Sequence, residues 1–311
     1  MSLTIMFAAM LAAAAPAERP LTAPGPNGDL AGTLVDAGKG APVVLIIPGS
    51  GPTDRDGNNP LGVTAAPYRL LAEALGERGI SSVRIDKRGM FGSKAAIADA
   101  NQVTIADYAA DAHAWAASIR QTTGVKCVWL VGHSEGALIA LATAQRPAGI
   151  CGVVSVSGMG RKLGDVMREQ LRSNPANAPI LDAALAAIDT LEAGKTVNAE
   201  ALPAPLQPLF NASVQPFIRD LMAHDPTRLA ASLKVPLLIV QGDKDIQVTV
   251  EDARVLAAAQ PKAKLAILPG VNHVLKVPAS DDRAANVATY GDPSLPLAPS
   301  VAEAVAAFVK P

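Results

Sequence analysis

The sequence predicts an α/β fold, in which a mostly parallel sheet is flanked by helices and carries an inserted helical cap. Short apolar runs alternate with helical patterns along the 311 residues, as they do in parallel sheets whose strands are joined by crossover helices. One strand, turn and helix unit contains Gly-His-Ser-Glu-Gly at 132–136. The segment 158–233 departs from the alternation because it lacks an apolar strand run.

Strands are predicted where short apolar and β-branched runs are bounded by turn residues. These runs lie at 30–35, 42–47, 80–85, 127–131, 151–156, 235–240 and 264–268. Helices are predicted at 68–78, 137–144, 251–259 and 301–309, where good helix formers lie between strands. A further helix follows Thr104, a residue type that caps helices, and its apolar positions 105, 108, 112, 115 and 119 form one stripe.

The segment 158–233 is interpreted as a helical cap inserted into a core formed by 18–157 and 234–311. Its helix-like stretches, at 162–172, 180–192 and 214–223, are separated by Pro-rich turns. Ordinary crossover helices are the alternative, but the length favours a cap. Because the segment leaves the carboxyl end of one strand, we expect it to cover the site there. Phe217 and Leu221 are then tentative substrate-pocket residues.

The N-terminus is typical of a signal peptide spanning residues 1–17. An apolar run from Leu3 to Ala15 is too short to span a bilayer, and Ala15-Pro16-Ala17 fits a cleavage site. The first seven residues contain no Lys or Arg, so a frayed apolar helix or a misassigned start is the alternative. We expect export to the periplasm or the medium. No Cys comes directly after the run, so we expect no stable membrane anchor.

Composition excludes some functional classes. The formal net charge is −1 and no basic block occurs, so nucleic-acid binding has no electrostatic support. The four histidines show no metal-ligand spacing, so no metal site is expected. Cys127 and Cys151 begin neighbouring predicted strands. Either a disulfide, which would suit an exported protein, or two buried thiols would fit this placement.

The sequence at 132–136 predicts a nucleophile elbow, because the G-x-S-x-G pattern lies between a buried strand and a helix. The turn forces Ser134 into a strained conformation and requires small neighbours, which Gly132 and Gly136 supply. The helix N-terminus adds free N–H groups where an oxyanion would form.

A serine hydroxyl needs a base, and the base needs an orienting acid. Asp243 and Asp245 follow the strand at 235–240, and His273 follows the strand at 264–268. The chain order Ser, Asp, His is the one found in hydrolases with this elbow. His133 adjoins Ser134 but points elsewhere, and it is interpreted as a residue that supports the elbow.

The chain resembles the α/β-hydrolase superfamily, in particular a group of bacterial, esterase-like serine hydrolases often described as S33/S9-like. The resemblance covers the chain after residue 17 and rests on these motifs: PGSGPTDRDGN at 48–58, D-x-R-G-x-x-x-S at 86–93, GHSEG at 132–136, the run from Gln241 to Val248, and Asn272-His273. It implies that Asp245, the last Asp of a G-x-x-D run, is the acid. It also implies an oxyanion hole made by the backbone N–H of Glu135 and of Ser50 or Gly51. Pro48 departs from the His that many relatives carry in that loop.

The predicted function is hydrolysis of carboxylic esters with a short or medium acyl chain by a Ser134, Asp245 and His273 triad, without a cofactor. A peptidase or an acyl thioesterase on the same triad is the alternative. A binding protein without turnover is a further alternative, against which the intact triad argues. The expected partner is a small-molecule ester, and the oligomeric state stays open.

We expect the Glu135 side chain to pair with a cation, either Arg88 or Arg55, or else to lie in solvent on the first helical turn.

Overall fold

The computed structural model describes residues 17–310. Eight strands of this part of the chain form one sheet in the order β1-β2-β4-β3-β5-β6-β7-β8. In this order, all neighbouring strands from β4 to β8 are parallel. At the other end of the order, β2 is antiparallel to both of its neighbours, β1 and β4. The strands are β1 Ala17–Ala23, β2 Leu30–Asp36, β3 Val43–Ile47, β4 Ser81–Ile85, β5 Val128–His133, β6 Ile150–Val156, β7 Leu237–Gly242 and β8 Lys264–Leu268.

Ten α-helices connect or flank these strands within residues 17–310. They are α1 Pro67–Glu77, α2 Ile105–Thr123, α3 Glu135–Thr143, α4 Leu163–Ser173, α5 Leu181–Glu192, α6 Gln215–Ala223, α7 Pro226–Ala231, α8 Val250–Ala259, α9 Arg283–Ala288 and α10 Pro299–Val309. The predicted fold class is confirmed, and each predicted strand is found to within two residues. The strand β1 and the short helices α7 and α9 were not predicted.

The central strands β3, β5, β6 and β7 are buried on both faces, which explains why they consist mostly of apolar residues. Along β3, Leu45 and Ile47 pack into the core shared with α2, α3 and α8. Val44 and Ile46 pack into the opposite core, which is shared with α1 and α10. Thr104 caps α2 through the Asp107 N–H, as its sequence predicts.

The segment between β6 and β7 is helical, and α4, α5 and α6 enclose an apolar cluster of their own. Ile188 and Phe210 are fully buried in that cluster. The helix α7 packs differently, because Ala230 and the following Leu233 belong to the core beneath α3 and α8. The boundaries 158–233 thus include α7, whose buried residues belong to the core.

A disulfide joins Cys127 and Cys151 and decides between the two readings of these residues. Cys127 precedes the first residue of β5, and Cys151 is the second residue of β6. The bond therefore lies at the amino ends of two parallel strands. The carboxyl ends of the same strands lie at the opposite edge of the sheet.

The predicted signal peptide lies outside the described residues, except for Ala17. No helix in the described part of the chain combines the length and the apolar character needed to cross a bilayer.

Candidate active site

Ser134 lies between the last residue of β5 and the first residue of α3, with φ 54° and ψ −120°. A positive φ on a residue with a side chain is strained and marks a functional turn. A Cβ atom on Gly132 would overlap the Gly136 carbonyl, and one on Gly136 would overlap the Ile47 carbonyl. The tight turn therefore requires both glycines, as the sequence predicts. Ser134 is partly exposed, whereas the residues on either side of it are buried.

Asp245 and His273 meet at the same edge of the sheet. The Nδ1 atom of His273 lies 2.8 Å from Oδ2 of Asp245. The other carboxylate oxygen, Oδ1, accepts the backbone N–H groups of Gln247 and Val248 at 2.8 and 2.9 Å. Burial opposes ionisation, but the charge of His273 and the donated hydrogen bonds outweigh it and lower the pKa of Asp245. A buried carboxylate is thus held ionised beside an imidazole.

The alternative acid, Asp243, is exposed. Its Oδ1 accepts the N–H of Gly270 at 2.7 Å. The structure therefore places Asp245, and not Asp243, against His273. This is the choice that the G-x-x-D pattern implies.

His133 connects the elbow to the loop that carries His273. Its Nε2 lies 2.8 Å from the carbonyl oxygen of His273 and its Nδ1 lies 2.8 Å from Oη of Tyr68. Burial, and secondarily the charge of His273, lower the pKa of His133 to about 3, so its ring is neutral near pH 7. A carbonyl oxygen only accepts, so Nε2 carries the proton and Nδ1 accepts from Tyr68. Burial raises the pKa of Tyr68, which keeps that hydroxyl protonated.

The same tyrosine reaches the loop after β3. The N–H of Gly49 donates to Oη of Tyr68 at 3.0 Å. A chain of hydrogen bonds thus runs from Gly49 through Tyr68 and His133 to the backbone of His273. It ties the predicted oxyanion loop to the base loop, and it gives His133 the supporting role that its position predicts.

The predicted oxyanion donors lie at the start of α3 and in the loop after β3. Glu135 is the first residue of α3, so its N–H has no acceptor within the helix. Gly49 is committed to Tyr68. Among residues 17–310 the N–H groups of Ser50 and Gly51 donate to no protein acceptor. These three N–H groups are therefore available to an oxyanion, with Gly51 in a left-handed conformation at φ 69°.

Lys87, which was not predicted, contacts both the loop of Gly49 and Glu135 at the start of α3. Its Nζ donates to the Gly49 carbonyl at 2.7 Å and to Oε1 of Glu135 at 2.8 Å. The side chains of Lys87 and Glu135 are only 2% and 1% exposed. The expected pairing of Glu135 with a cation is confirmed, but the expected partners Arg88 and Arg55 are wrong.

Those two arginines form ion pairs with other acids. Arg88 bonds to Asp107 and Asp111 on α2, whereas Arg55 bonds to Asp86. The signal for Lys87 was its place in the motif at 86–93, between a strand end and a turn. Nothing in the linear pattern shows which of two adjacent cations points inward.

Phe217 and Leu221 lie on the core side of α6. Leu221 is 6% exposed and packs in the core with α2 and α3. Phe217 makes an edge-to-face contact with Tyr108, with ring centroids 5.9 Å apart. The Tyr108 ring lies 5.3 Å from Nζ of Lys87. Phe217 thus approaches Lys87 through one intervening side chain, that of Tyr108.

No group of three or more His, Cys, Asp or Glu side chains among the described residues could hold a metal ion. The groups found at this edge are Ser134 in its strained turn, the His273 imidazole with Asp245, and free backbone N–H donors. Together they suit acyl transfer through a covalent serine intermediate.

Residues 43–289 match the family described as "Alpha/beta hydrolase family". The esterase EstD of Thermotoga maritima is 27% identical over 241 residues, which cover 75% of this chain and 54% of EstD. The chain thus spans about half the length of that relative.

Solved structures share the fold. The esterase Pf2001 of Pyrococcus furiosus has a TM-score of 0.52 at 18% identity, covering 82% of this chain and 84% of that chain. A thermophilic esterase from Thermogutta terrifontis has a TM-score of 0.55 at 16% identity, covering 94% and 98%. Est1E from Butyrivibrio proteoclasticus has a TM-score of 0.56 at 16% identity, covering 93% and 96%.

Proposed function

Because the chain belongs to the alpha/beta hydrolase family, we propose that it is a serine hydrolase that cleaves carboxylic esters with a short or medium acyl chain. The observation that carries the proposal is the 2.8 Å hydrogen bond between His273 and a buried, ionised Asp245, at the sheet edge where Ser134 adopts a strained turn. The similarity to the esterase EstD favours esters among acyl substrates.

In the proposed mechanism, Oγ of Ser134 attacks the ester carbonyl carbon while Nε2 of His273 takes its proton. Nδ1 is already committed to Asp245, whose negative charge stabilises the imidazolium. The tetrahedral oxyanion accepts the N–H of Glu135 and that of Ser50 or Gly51. Collapse breaks the bond to the alcohol, which leaves with the proton held by His273.

The acyl-enzyme is then hydrolysed. His273 removes a proton from water as the oxygen attacks the acyl carbon, and the same backbone donors hold the second oxyanion. Collapse releases the carboxylic acid and returns the proton to Ser134. No step requires a cofactor.

A peptidase or an acyl thioesterase would use the same groups and differ in the leaving group. A panel of 4-nitrophenyl esters, aminoacyl anilides and acyl-CoA substrates separates the three. We expect the highest kcat/KM on esters with two to eight acyl carbons, a range that represents short and medium chains. Faster turnover of anilides or acyl-CoA would replace the ester assignment.

A fluorophosphonate probe tests the serine directly. We expect the wild-type protein to be labelled and Ser134→Ala to be neither labelled nor active, with an unchanged circular dichroism spectrum. Ser157→Ala is the matched control, because Ser157 also has a positive φ and follows the neighbouring strand. A folded wild-type protein that resists labelling would indicate a binding protein without turnover. Labelled Ser134→Ala would refute the choice of nucleophile.

We also propose that 158–233 is a cap over this site, on a core made of 18–157 and 234–311. The separate apolar cluster of α4, α5 and α6 supports this division. Replacing Phe217 and Leu221 by Ala should change the acyl-length profile if α6 contributes to selectivity. A flat profile with lower stability would leave α6 with a structural role only.

Export is a further proposal, supported by the disulfide, because such bonds persist in oxidising compartments. Cleavage after Ala17 would leave a chain that begins at Glu18. Mass spectrometry of the protein expressed in its full length should find that N-terminus in the periplasm or the medium. Uncleaved protein confined to the cytoplasm would contradict the proposal.

A further inference from the structure

An open cleft of about 600 Å³ lies at the edge of the sheet where the acid and base loops are found. Its volume falls in the range of small-molecule sites. Apolar side chains contribute much of its wall, including Leu61, Ile246 and Val287. Leu61 is 83% exposed and Val287 is 49% exposed, values that are high for large apolar residues and mark a surface suited to a ligand.

One wall of the cleft is continuous with the loop of the proposed acid. Ile246 and Gln247 follow Asp245 directly, and the Gln247 N–H donates to the Asp245 carboxylate at 2.8 Å. The side-chain amide of Gln247 donates to Oη of Tyr290, which also lines the cleft, at 3.0 Å. Gln247 thus lines the cleft and is hydrogen-bonded directly to Asp245 of the proposed triad.

A second wall, formed by residues 283–291, is fixed to the loop of the proposed base. Asn272, which immediately precedes His273, is fully buried. Its Nδ2 donates to Oδ1 of Asn286 at 3.2 Å and to Oγ1 of Thr289 at 2.7 Å. Any ligand that presses on this wall also contacts a segment anchored beside His273.

The third wall comes from the segment that follows the proposed oxyanion loop. Leu61 and Val63 line the cleft. Thr64, next along the chain, donates its N–H to the Tyr290 carbonyl at 2.8 Å and its hydroxyl to the Gly291 carbonyl at 2.9 Å. The open cleft is thus bordered by extensions of the acid, base and oxyanion loops, and in addition by Gln170 of α4.

Among the described residues that line this cleft, Arg283 alone is charged. Within residues 17–310 its guanidinium lies within 4.0 Å of no carboxylate. The two preceding acids are engaged elsewhere: Asp281 pairs with Lys244 at 2.7 Å, and Asp282 accepts the hydroxyl of Ser280 at 3.1 Å. The cleft thus presents apolar surface with a single cation free to bind a ligand.

We propose that this cleft holds the distal part of the ester and that Arg283 binds an anionic group at its end. The substrate class is then acidic esters, such as half-esters of dicarboxylic acids, in which an apolar spacer separates the ester from a carboxylate. The guanidinium matches a carboxylate in two parallel hydrogen bonds. This inference rests on the proposed function, because the ester must react at Ser134.

Matched substrates test the inference. The acyl-side pair is monoethyl glutarate and its neutral methyl diester, whereas the alcohol-side pair is 4-butyryloxybutanoate and its methyl ester. The carboxylates are ionised at pH 8, and kcat/KM is measured by titration of released acid, with identification of the products. We expect the wild-type protein to favour the anionic member of one pair by about fivefold, as suits a solvent-accessible ion pair.

Arg283→Gln should bring that ratio close to one, mainly by raising KM for the anionic ester. Arg254→Gln on α8 is the control, because Arg254 is 65% exposed and lies outside the cleft lining. It should keep the wild-type ratio. The preference should also weaken at 1 M salt, where surface charges are screened.

The outcomes separate the two proposals. A protein that hydrolyses neutral esters without any anionic preference, or that keeps the preference in Arg283→Gln, overturns the role of Arg283 and leaves the esterase proposal intact. An equal loss of preference in Arg254→Gln would reduce the effect to net charge and also overturn it. A wild-type protein that hydrolyses no ester overturns both proposals.

Discussion

Replacing Lys87 by Met should destabilise the protein and disturb the oxyanion side of the site. The substitution removes the donor to Oε1 of Glu135 and to the Gly49 carbonyl. Oε2 of Glu135 is buried without a partner among the described residues, so the whole carboxylate would be left unpaired. Removing one member of a buried ion pair costs about 3–5 kcal/mol. Urea unfolding should show a loss of that size.

The catalytic effect has a separate origin. The Gly49 carbonyl and the Ser50 N–H belong to one peptide group, so the hydrogen bond from Lys87 fixes the direction of that N–H. Losing one oxyanion donor lowers kcat by about 10²–10³. A donor that is misaligned but still present should cost less, and we expect kcat to fall about 10–100-fold with KM little changed.

The double variant Lys87→Met/Glu135→Gln separates the two effects. It removes both charges, so most of the lost unfolding free energy should return, whereas the Gly49 carbonyl still lacks its donor and kcat should stay low. This variant also allows the measurement if the single variant does not fold. Recovery of kcat together with stability would refute the role of the peptide at Gly49, and a loss below about 1 kcal/mol in the single variant would refute the energetic argument.

Three further measurements follow from the geometry. Asp245→Asn should lower kcat by about 10⁴, whereas Asp243→Asn should change it less than threefold, roughly a surface-residue effect; equal losses in ester hydrolysis would contradict the assignment of the acid. The pKa of His133 falls from 6.5 in the unfolded chain to about 3 in the folded protein, so the unfolded chain binds the extra proton and the free energy of unfolding decreases by about 1.4 kcal/mol per pH unit as the pH falls below 6.5. Between pH 6.5 and 4.5 the free energy of unfolding of His133→Gln should therefore depend on pH less steeply than that of the wild-type protein, by that slope. Equal slopes would contradict the argument. The Cys127–Cys151 bond spans 24 residues and should contribute about 3 kcal/mol; the double Ala variant should lose that stability in urea but keep kcat, and a parallel loss of kcat would show that the amino ends of the strands affect the site.

The strands β3, β5, β6 and β7 could be predicted because they are buried on both faces and therefore consist mostly of apolar residues. The strand β1 is different, since six of its seven residues are not buried and Pro20 lies within it. An edge strand needs little apolar patterning, because it is held mainly by its ladder with β2. Pattern reading could not find it for that reason.

The candidate triad could be predicted to the extent that each member ends a strand. Parallel strands bring their carboxyl ends to one edge, so Asp245 and His273 had to lie near the elbow. The partners of Glu135 and His133 could not be predicted, because they depend on side-chain direction and on contacts between distant segments. Tyr68 is the second residue of α1, and its contact with His133 spans 65 positions. The cleft has the same origin, since its walls come from four separate loops or helices.

The residues on each side of Ser134 connect the elbow to different loops. His133 is bonded to Tyr68 and to the backbone of His273, which fixes the base loop. Glu135 is bonded to Lys87, which also holds Gly49 on the oxyanion loop. Because residues 133–135 are consecutive, a small displacement of the elbow would disturb both the loop of His273 and the loop of Gly49. Hydrogen bonds between buried polar groups rigidify a site, so the bonds of His133 and of Oε1 of Glu135 contribute to the preorganisation that an oxyanion hole requires. It also explains why substitutions at Lys87 and at Tyr68 should affect the reaction centre differently. Lys87 acts on the oxyanion loop through the Gly49 carbonyl. Tyr68 acts on the same loop through the Gly49 N–H and on the loop of His273 through the neutral imidazole of His133.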